Sequence, residues 1–270
     1  MNAPAIPNAR AGFRGYDGNT PMVPEALVRD VDLLCLDAGN TVIFLDHARM
    51  AALVNTTGGQ VSADALLRAE GPAKLALELG TMEDVAWTSD ASPGARSWGR
   101  YLATVCANAG VPRARLATIL DRLWEDHMRW NLFSLVPEGL GDALDALRAT
   151  GARVAIVSNS EGRLETLFEA LDVLRHFDTV VDSGNVGVEK PDPRIFEIAL
   201  ERCGAVRERT VMLGDIFATD IVGARCAGIR SALVDPHGHL AGRHEDVARV
   251  ASAAEVARAI GDERNRKGVG

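Results

Sequence analysis

The chain has no block of positive charge. Its 270 residues carry 29 Lys and Arg against 37 Asp and Glu, a formal net charge of −8, which argues against nucleic acid or an anionic membrane as partner. No apolar stretch approaches the length that a bilayer requires, and the N-terminus lacks the charged-then-apolar layout of a secretion signal. The four cysteines (Cys35, Cys106, Cys203 and Cys226) are scattered without a C-x-x-C pair, so buried thiols in a reducing, cytoplasmic setting are expected. What remains is ordinary for a globule with a full core: 47% hydrophobic and 24% charged residues. The length suits one large α/β domain, or a core with a smaller insertion.

One stretch stands out, from Val31 to Val42. An apolar run, Leu33 to Leu36, stops at Asp37 and is followed at once by Gly39-Asn40-Thr41. A short run of this kind suits a strand buried on both faces, as in a parallel sheet. Asp37 then falls at the carboxyl end of that strand, the edge where open α/β sheets bind ligands. It is either a turn-opening acid or a nucleophile or metal ligand.

Along the chain, residues 1–27 read as an extended lead-in rich in Ala, Pro, Asn and Gly, with Phe13 and Tyr16 as isolated aromatics. Residues 28–45 and 132–260 read as one discontinuous α/β core, 46–131 as a helical insertion, and 261–270 as a polar, frayed tail. Within the insertion, residues 62–79, 95–109 and 113–130 carry apolar residues at helical spacing, with Pro93-Gly94 and Gly110-Val111-Pro112 as breaks. All four tryptophans (Trp87, Trp98, Trp124 and Trp130) lie there and are expected to build its small core. Arg96, Arg100 and Arg129 are expected on solvated faces. From Val136 onward, strands at 154–157, 179–181, 211–213 and 231–234 alternate with helices at 162–171, 193–203 and 219–227. That rhythm means βαβ units and a covered parallel sheet.

The residues after each strand share one chemistry. Asp37 follows the first, Ser158-Asn159 the second, a loop to Lys190 the third, and Gly214-Asp215 with Asp220 the fourth. If the strands are parallel neighbours, these groups converge on one edge. Carboxylates there would hold a hard divalent cation such as Mg²⁺. Ser158, Asn159 and Lys190 would bind phosphoryl oxygens, and Asp37 could attack phosphorus.

These four segments resemble the motifs of the haloacid dehalogenase-like (HAD) hydrolase superfamily. Leu-Cys-Leu-Asp37-Ala-Gly-Asn-Thr41, Ile-Val-Ser158-Asn159, Val-Glu-Lys190-Pro-Asp-Pro and Leu-Gly-Asp215-Ile-Phe-Ala-Thr-Asp220 match in order and spacing. The resemblance implies a Rossmann-like three-layer α/β core with a parallel sheet, and assigns the insertion as an all-helical, C1-type cap. It implies Asp37 as nucleophile and Mg²⁺ ligand, the Gly39 backbone carbonyl and Asp215 as further ligands, and Asp220 as an outer ligand or partner of the lysine. It also implies Ser158 and Lys190 as phosphoryl-binding groups with Asn159 in support, and a small phosphorylated metabolite as substrate.

The match departs from the family's phosphatases at Gly39, where a second Asp usually serves as general acid and base. A positioned acid typically contributes about 10²–10⁴-fold, so slow turnover of simple phosphate monoesters is expected. A substrate with a good leaving group, such as an acyl phosphate, avoids the need. His47 and Asp46 are the nearest stand-ins. Two other branches tolerate the loss: 2-haloacid dehalogenases, which attack carbon without Mg²⁺, and phosphonate hydrolases, which need a cap lysine, for which Lys74 is the only lysine in the insertion. A non-catalytic HAD-fold binding protein is the alternative from another class. His237, His239 and His244 are expected on a surface loop rather than at a zinc site.

Overall fold

The computed structural model describes residues 23–92 and 94–268. Most of the expected lead-in, with Phe13 and Tyr16, lies outside the described residues, as does Pro93. The described part of the lead-in includes a single helical turn, α1 (Glu25–Val28), with Leu27 and Val28 buried. Among the described residues eight strands follow in order: β1 (Leu33–Leu36), β2 (Phe44–Leu45), β3 (Phe133–Leu135), β4 (Arg153–Ser158), β5 (Thr179–Asp182), β6 (Thr210–Gly214), β7 (Arg230–Val234) and β8 (Ala248–Val250).

Six of them form one parallel sheet in the order β5-β4-β1-β6-β7-β8. β1 is central, with Leu36 opposite Ile156 on one side and Leu213 on the other. Successive side chains point to opposite faces of a strand. Leu34 and Leu36 accordingly enter one apolar layer and Leu33 and Cys35 the other, all fully buried. The layers are closed by helices: α6 (Leu140–Ala149), α7 (Leu164–Ala170), the single turn α8 (Ser183–Val186), α9 (Arg194–Cys203), α10 (Val222–Cys226) and α11 (Ala253–Gly268). This is the three-layer, Rossmann-like arrangement.

The described elements between β2 and β3 are all helices, chiefly α2 (His47–Thr56), α3 (Ala63–Glu78), α4 (Ala95–Asn108) and α5 (Leu116–Arg129). It builds its own core from residues such as Met50, Leu66, Leu102, Ile119 and Leu123. Asp46 caps α2 by accepting from the Arg49 amide at 2.9 Å, and Ser62 caps α3 by accepting from the Ala65 amide at 3.1 Å. The outgoing and returning segments are joined as a two-stranded antiparallel ribbon, β2 with β3. The Asp46 amide adds a bond to the Leu132 carbonyl at 2.9 Å. Those short strands, and β8, carry too few residues to show a period-2 pattern.

Two expectations need correction. Residues 261–268 of the expected tail are not frayed: α11 runs on to Gly268, where Lys267 pairs with Glu263 and Asp30 at 2.7 Å. The helix expected over 219–227 starts instead with a π-helical turn, Phe217–Ile221, before α10. Among the cysteines, Cys35 and Cys106 are buried but Cys226 is exposed, and all four are free.

Candidate active site

The central strand delivers Asp37. Its amide donates to the Leu213 carbonyl at 2.8 Å, which fixes the acid at the junction of β1 and β6. The next residues turn sharply: the Ala38 carbonyl accepts from the amides of Val42 and Ile43, both at 2.9 Å. Asn40 takes the left-handed conformation, φ 51°, that Asn tolerates better than most residues.

Lys190 reaches the same point from the loop after β5. Asn159, at the end of β4, holds its backbone from both sides, accepting from the Lys190 amide at 2.7 Å and donating to its carbonyl at 2.9 Å. The Lys190 Nζ donates to Asp37 Oδ1 and to Asp220 Oδ1, each at 2.6 Å. Asp220 comes from the π-helical turn, and its Oδ2 accepts from the Ile216 amide at 2.9 Å. A glycine is required below it, because a Cβ on Gly214 would lie 2.2 Å from the Asp220 Cγ. Such turns recur at functional sites because the wider winding re-aims a side chain.

Asp37, Asp215 and Asp220 are all buried and offer carboxylate oxygens within 4.8 Å of one another. Burial pushes the Asp220 carboxyl up to about 7, against the pull of Lys190, and raises that of Asp215 against the pull of Lys74. Burial alone would lower Lys190, but the charges of Asp220 and Asp37 outweigh it and hold the ammonium charged. Oxygen-only donors this close, strained by mutual repulsion, fit a hard divalent cation. Ser158, buried at the end of β4, lines the same cavity.

The structure adds two side chains that the motifs do not contain. From α3, the Lys74 Nζ pairs with Asp215 Oδ2 at 2.8 Å, with Lys74 only 4% exposed. One turn earlier Glu70, 2% exposed, accepts from Asn40 Nδ2 at 2.5 Å and from the Tyr101 hydroxyl at 2.8 Å, and pairs with His47 Nε2 at 2.7 Å. Burial would raise the Glu70 carboxyl, but the His47 hydrogen bond and the Lys74 charge bring it down to about 2. In sequence the two look like an ordinary exposed i,i+4 pair.

A cavity of about 260 Å³ opens above Asp37 between the sheet edge and the inserted helices. Trp98, Tyr101, Phe133 and Leu164 give it apolar walls, and His127 and Glu161 give it polar ones. His127 accepts from the Leu132 amide through Nδ1 at 3.3 Å, so its Nε2–H faces Glu161 Oε1 at 3.0 Å. Gly39 faces Phe133: a Cβ there would stand 3.6 Å from the ring.

Of the tryptophans, Trp87, Trp98 and Trp124 pack with centroids 5.0–6.0 Å apart, and Trp98 also lines the cavity; Trp130 stands apart at the end of α5. Arg96 and Arg129 pair with Asp84 and Glu125 on the surface. The proposed stand-in acids are otherwise occupied, Asp46 as a helix cap and His47 on Glu70. His237 and His239 lie in the loop after β7 with rings 5.4 Å apart, while His244 stacks on Phe217 and meets Glu78 at 3.1 Å. Among the described residues, the cluster arranged to hold a metal is the three aspartates.

A mouse haloacid dehalogenase-like hydrolase domain-containing protein 3 is 38% identical over 130 residues, 47% of this chain and 50% of its own length. A glyceraldehyde 3-phosphate phosphatase of Methanothermobacter thermautotrophicus is 44% identical over 122 residues, 44% of this chain and 53% of its own length. The chain thus spans about half the length of these curated relatives. The crystal structure of a HAD phosphatase from Thermococcus onnurineus shares the fold, with TM-score 0.55 and 21% identity over 87% of this chain and 100% of the other. The model of the haloacid dehalogenase-like hydrolases matches residues 31–228, from the strand that carries Asp37 to beyond Asp220, and the chain belongs to that family.

Proposed function

We propose that this protein is a Mg²⁺-dependent phosphatase acting on a small phosphorylated metabolite, with the inserted helices as its cap. The observation that carries the reading is the bridge from Lys190 Nζ to Asp37 and Asp220, at 2.6 Å each, at the carboxyl edge of the central strands. That bridge holds Asp37 in place through its Oδ1 while leaving its Oδ2 to attack phosphorus. The Asp37–phosphorus bond forms as the bond to the leaving oxygen breaks, giving an aspartyl-phosphate that water then hydrolyses to phosphate and free Asp37. Lys190 and Ser158 bind the equatorial oxygens. Asp37, Asp215 and the Gly39 carbonyl would hold the cation, with Asp220 acting through Lys190. When bound, the ion offsets the negative charge gathering on the phosphoryl group.

The glyceraldehyde 3-phosphate phosphatase relative supports a small phosphorylated substrate, as does a cavity of about 260 Å³. Gly39 favours substrates with a good leaving group. Four free cysteines fit a reducing, cytoplasmic location. A phosphonate hydrolase would need Lys74 as a free amine, whereas Asp215 and Glu70 hold it charged. The test is hydrolysis of acetyl phosphate, p-nitrophenyl phosphate and 2-chloropropionate with and without Mg²⁺, in the wild type and Asp37→Asn. Mg²⁺-dependent phosphate release that Asp37→Asn abolishes is expected. Chloride release without metal would replace this reading by dehalogenation, and no turnover of any substrate would favour a binding protein.

A further inference from the structure

Lys74 is a buried cation at the site that the proposed chemistry leaves without a task. Of the 29 basic residues in the chain only three are lysine (Lys74, Lys190 and Lys267), and two of those three meet at the aspartate cluster. An arginine, with its broad fork, is the usual choice for tying one surface to another. An ammonium is a compact point charge, closer in character to a hard metal ion. Lys190 serves Asp37 and Asp220, and Lys74 takes Asp215.

Helix α3 is seated so that Lys74 enters. Gly71, one residue past Glu70, lets the His239 backbone and Cβ approach: a Cβ on Gly71 would stand 3.3 Å from the His239 Cβ and 3.4 Å from its carbonyl oxygen. At the end of α3, Glu78 pairs with His244 at 3.1 Å and Arg243 at 3.4 Å. Glu70 is joined to Asn40 of the nucleophile loop. The helix therefore rests on the core through its middle and its last turn, with the ammonium between.

We propose that Lys74 is a built-in cation that occupies the metal pole of the aspartate cluster, so that the docked α3 and a divalent ion compete for Asp215. The inference rests on the reading of Asp215 as a metal ligand. A carboxylate has two oxygens, but Lys74 pairs with Asp215 alone among the three aspartates, so a doubly charged ion on that carboxylate would sit directly against its ammonium, whereas Lys190 spreads its charge over Asp37 and Asp220. Mg²⁺ also demands near-octahedral coordination and keeps several waters, which need the volume that the lysine fills. Metal binding at Asp215 thus requires Lys74 to withdraw, and withdrawal loosens α3 from the core.

The test is calorimetric titration of Mg²⁺ into the full 270-residue chain, wild type and Lys74→Met, with Asp215→Asn as control. Removing the rival should tighten Mg²⁺ binding by about tenfold or more, and Asp215→Asn should weaken it. Equal or weaker binding to Lys74→Met, with Asp215→Asn still impaired, overturns the competition and leaves the metal-ligand reading standing. Binding that ignores Asp215→Asn, or no binding to any of the three, overturns both. A second measurement uses the wild type alone: saturating Mg²⁺ should raise hydrogen exchange across α3. Exchange there that stays unchanged with Mg²⁺ bound overturns the proposal whatever the variant's folding.

Discussion

Phe133 covers the position from which Gly39 would extend a side chain, with the ring 3.6 Å from where a Cβ would be. The space next to Asp37 that could hold a second acid is therefore lined by an aromatic edge. The glycine at 39 and the ring are one local arrangement, in which β3 brings Phe133 against the turn after β1.

Adding an acid there tests that arrangement. Gly39→Asp places a Cβ in ordinary contact with the ring but aims the carboxylate at an apolar surface, so a small gain is expected. Gly39→Asp with Phe133→Ala should raise kcat on phenyl phosphate by about tenfold to a hundredfold, up to the lower end of the ~10²–10⁴-fold range for a positioned general acid. The gain should be far smaller on p-nitrophenyl phosphate, whose leaving group needs little protonation. Equal gains on both substrates would show that the new carboxylate does not protonate the leaving oxygen.

Gly214 is the second pressure point. A methyl group there would lie 2.2 Å from the Asp220 Cγ and 2.3 Å from its Oδ2, so Gly214→Ala must displace the acid that Lys190 bridges. Overpacking of this kind typically costs about 1–3 kcal/mol, measurable by urea unfolding. Activity should fall more steeply than stability, because Lys190 loses one of its two anchors. A variant with wild-type kcat would mean that Asp220 is dispensable.

Glu70 carries a pH signature. Its carboxyl is held at about 2 in the folded chain, against an ordinary 4.5. A group depressed on folding contributes stability that is complete above the unfolded value and disappears as pH falls through the folded one. That interval corresponds to about 3 kcal/mol. Glu70→Gln should therefore lower the unfolding free energy by about that amount at neutral pH, with the deficit shrinking between pH 4.5 and about 2. A deficit of the same size at pH 7 and at about pH 3 would mean that the loss comes from packing rather than charge.

The strand-end chemistry was legible because the apolar runs are short, each stops at a polar residue, and sheet topology does the rest. Asp37, Ser158, Lys190, Asp215 and Asp220 needed only the assumption of parallel neighbours. Helix α3 was legible as a helix but not as part of the site. Glu70 and Lys74 have the spacing of a solvated pair, and only their near-total burial separates them from one. That burial depends on how α3 lies on the core, which follows from Gly71 against His239, a contact 168 positions apart that no local pattern records. The pairing of His127 with Glu161 was hidden for the same reason, since each comes from a different layer. The π-helical turn before α10 was read as regular helix, because its winding is set by Asp220 folding back over Gly214 and not by propensity.

The placement of the tryptophans has a practical consequence. All four indoles lie between Trp87 and Trp130, and the sheet carries none. Tryptophan emission from the native chain is therefore a private channel of the inserted segment, with no indole on the sheet beneath it. With Trp98 on the cavity wall and Trp124 stacked on His127 at 5.4 Å, the protein carries an optical reporter at its own entrance without any label being added.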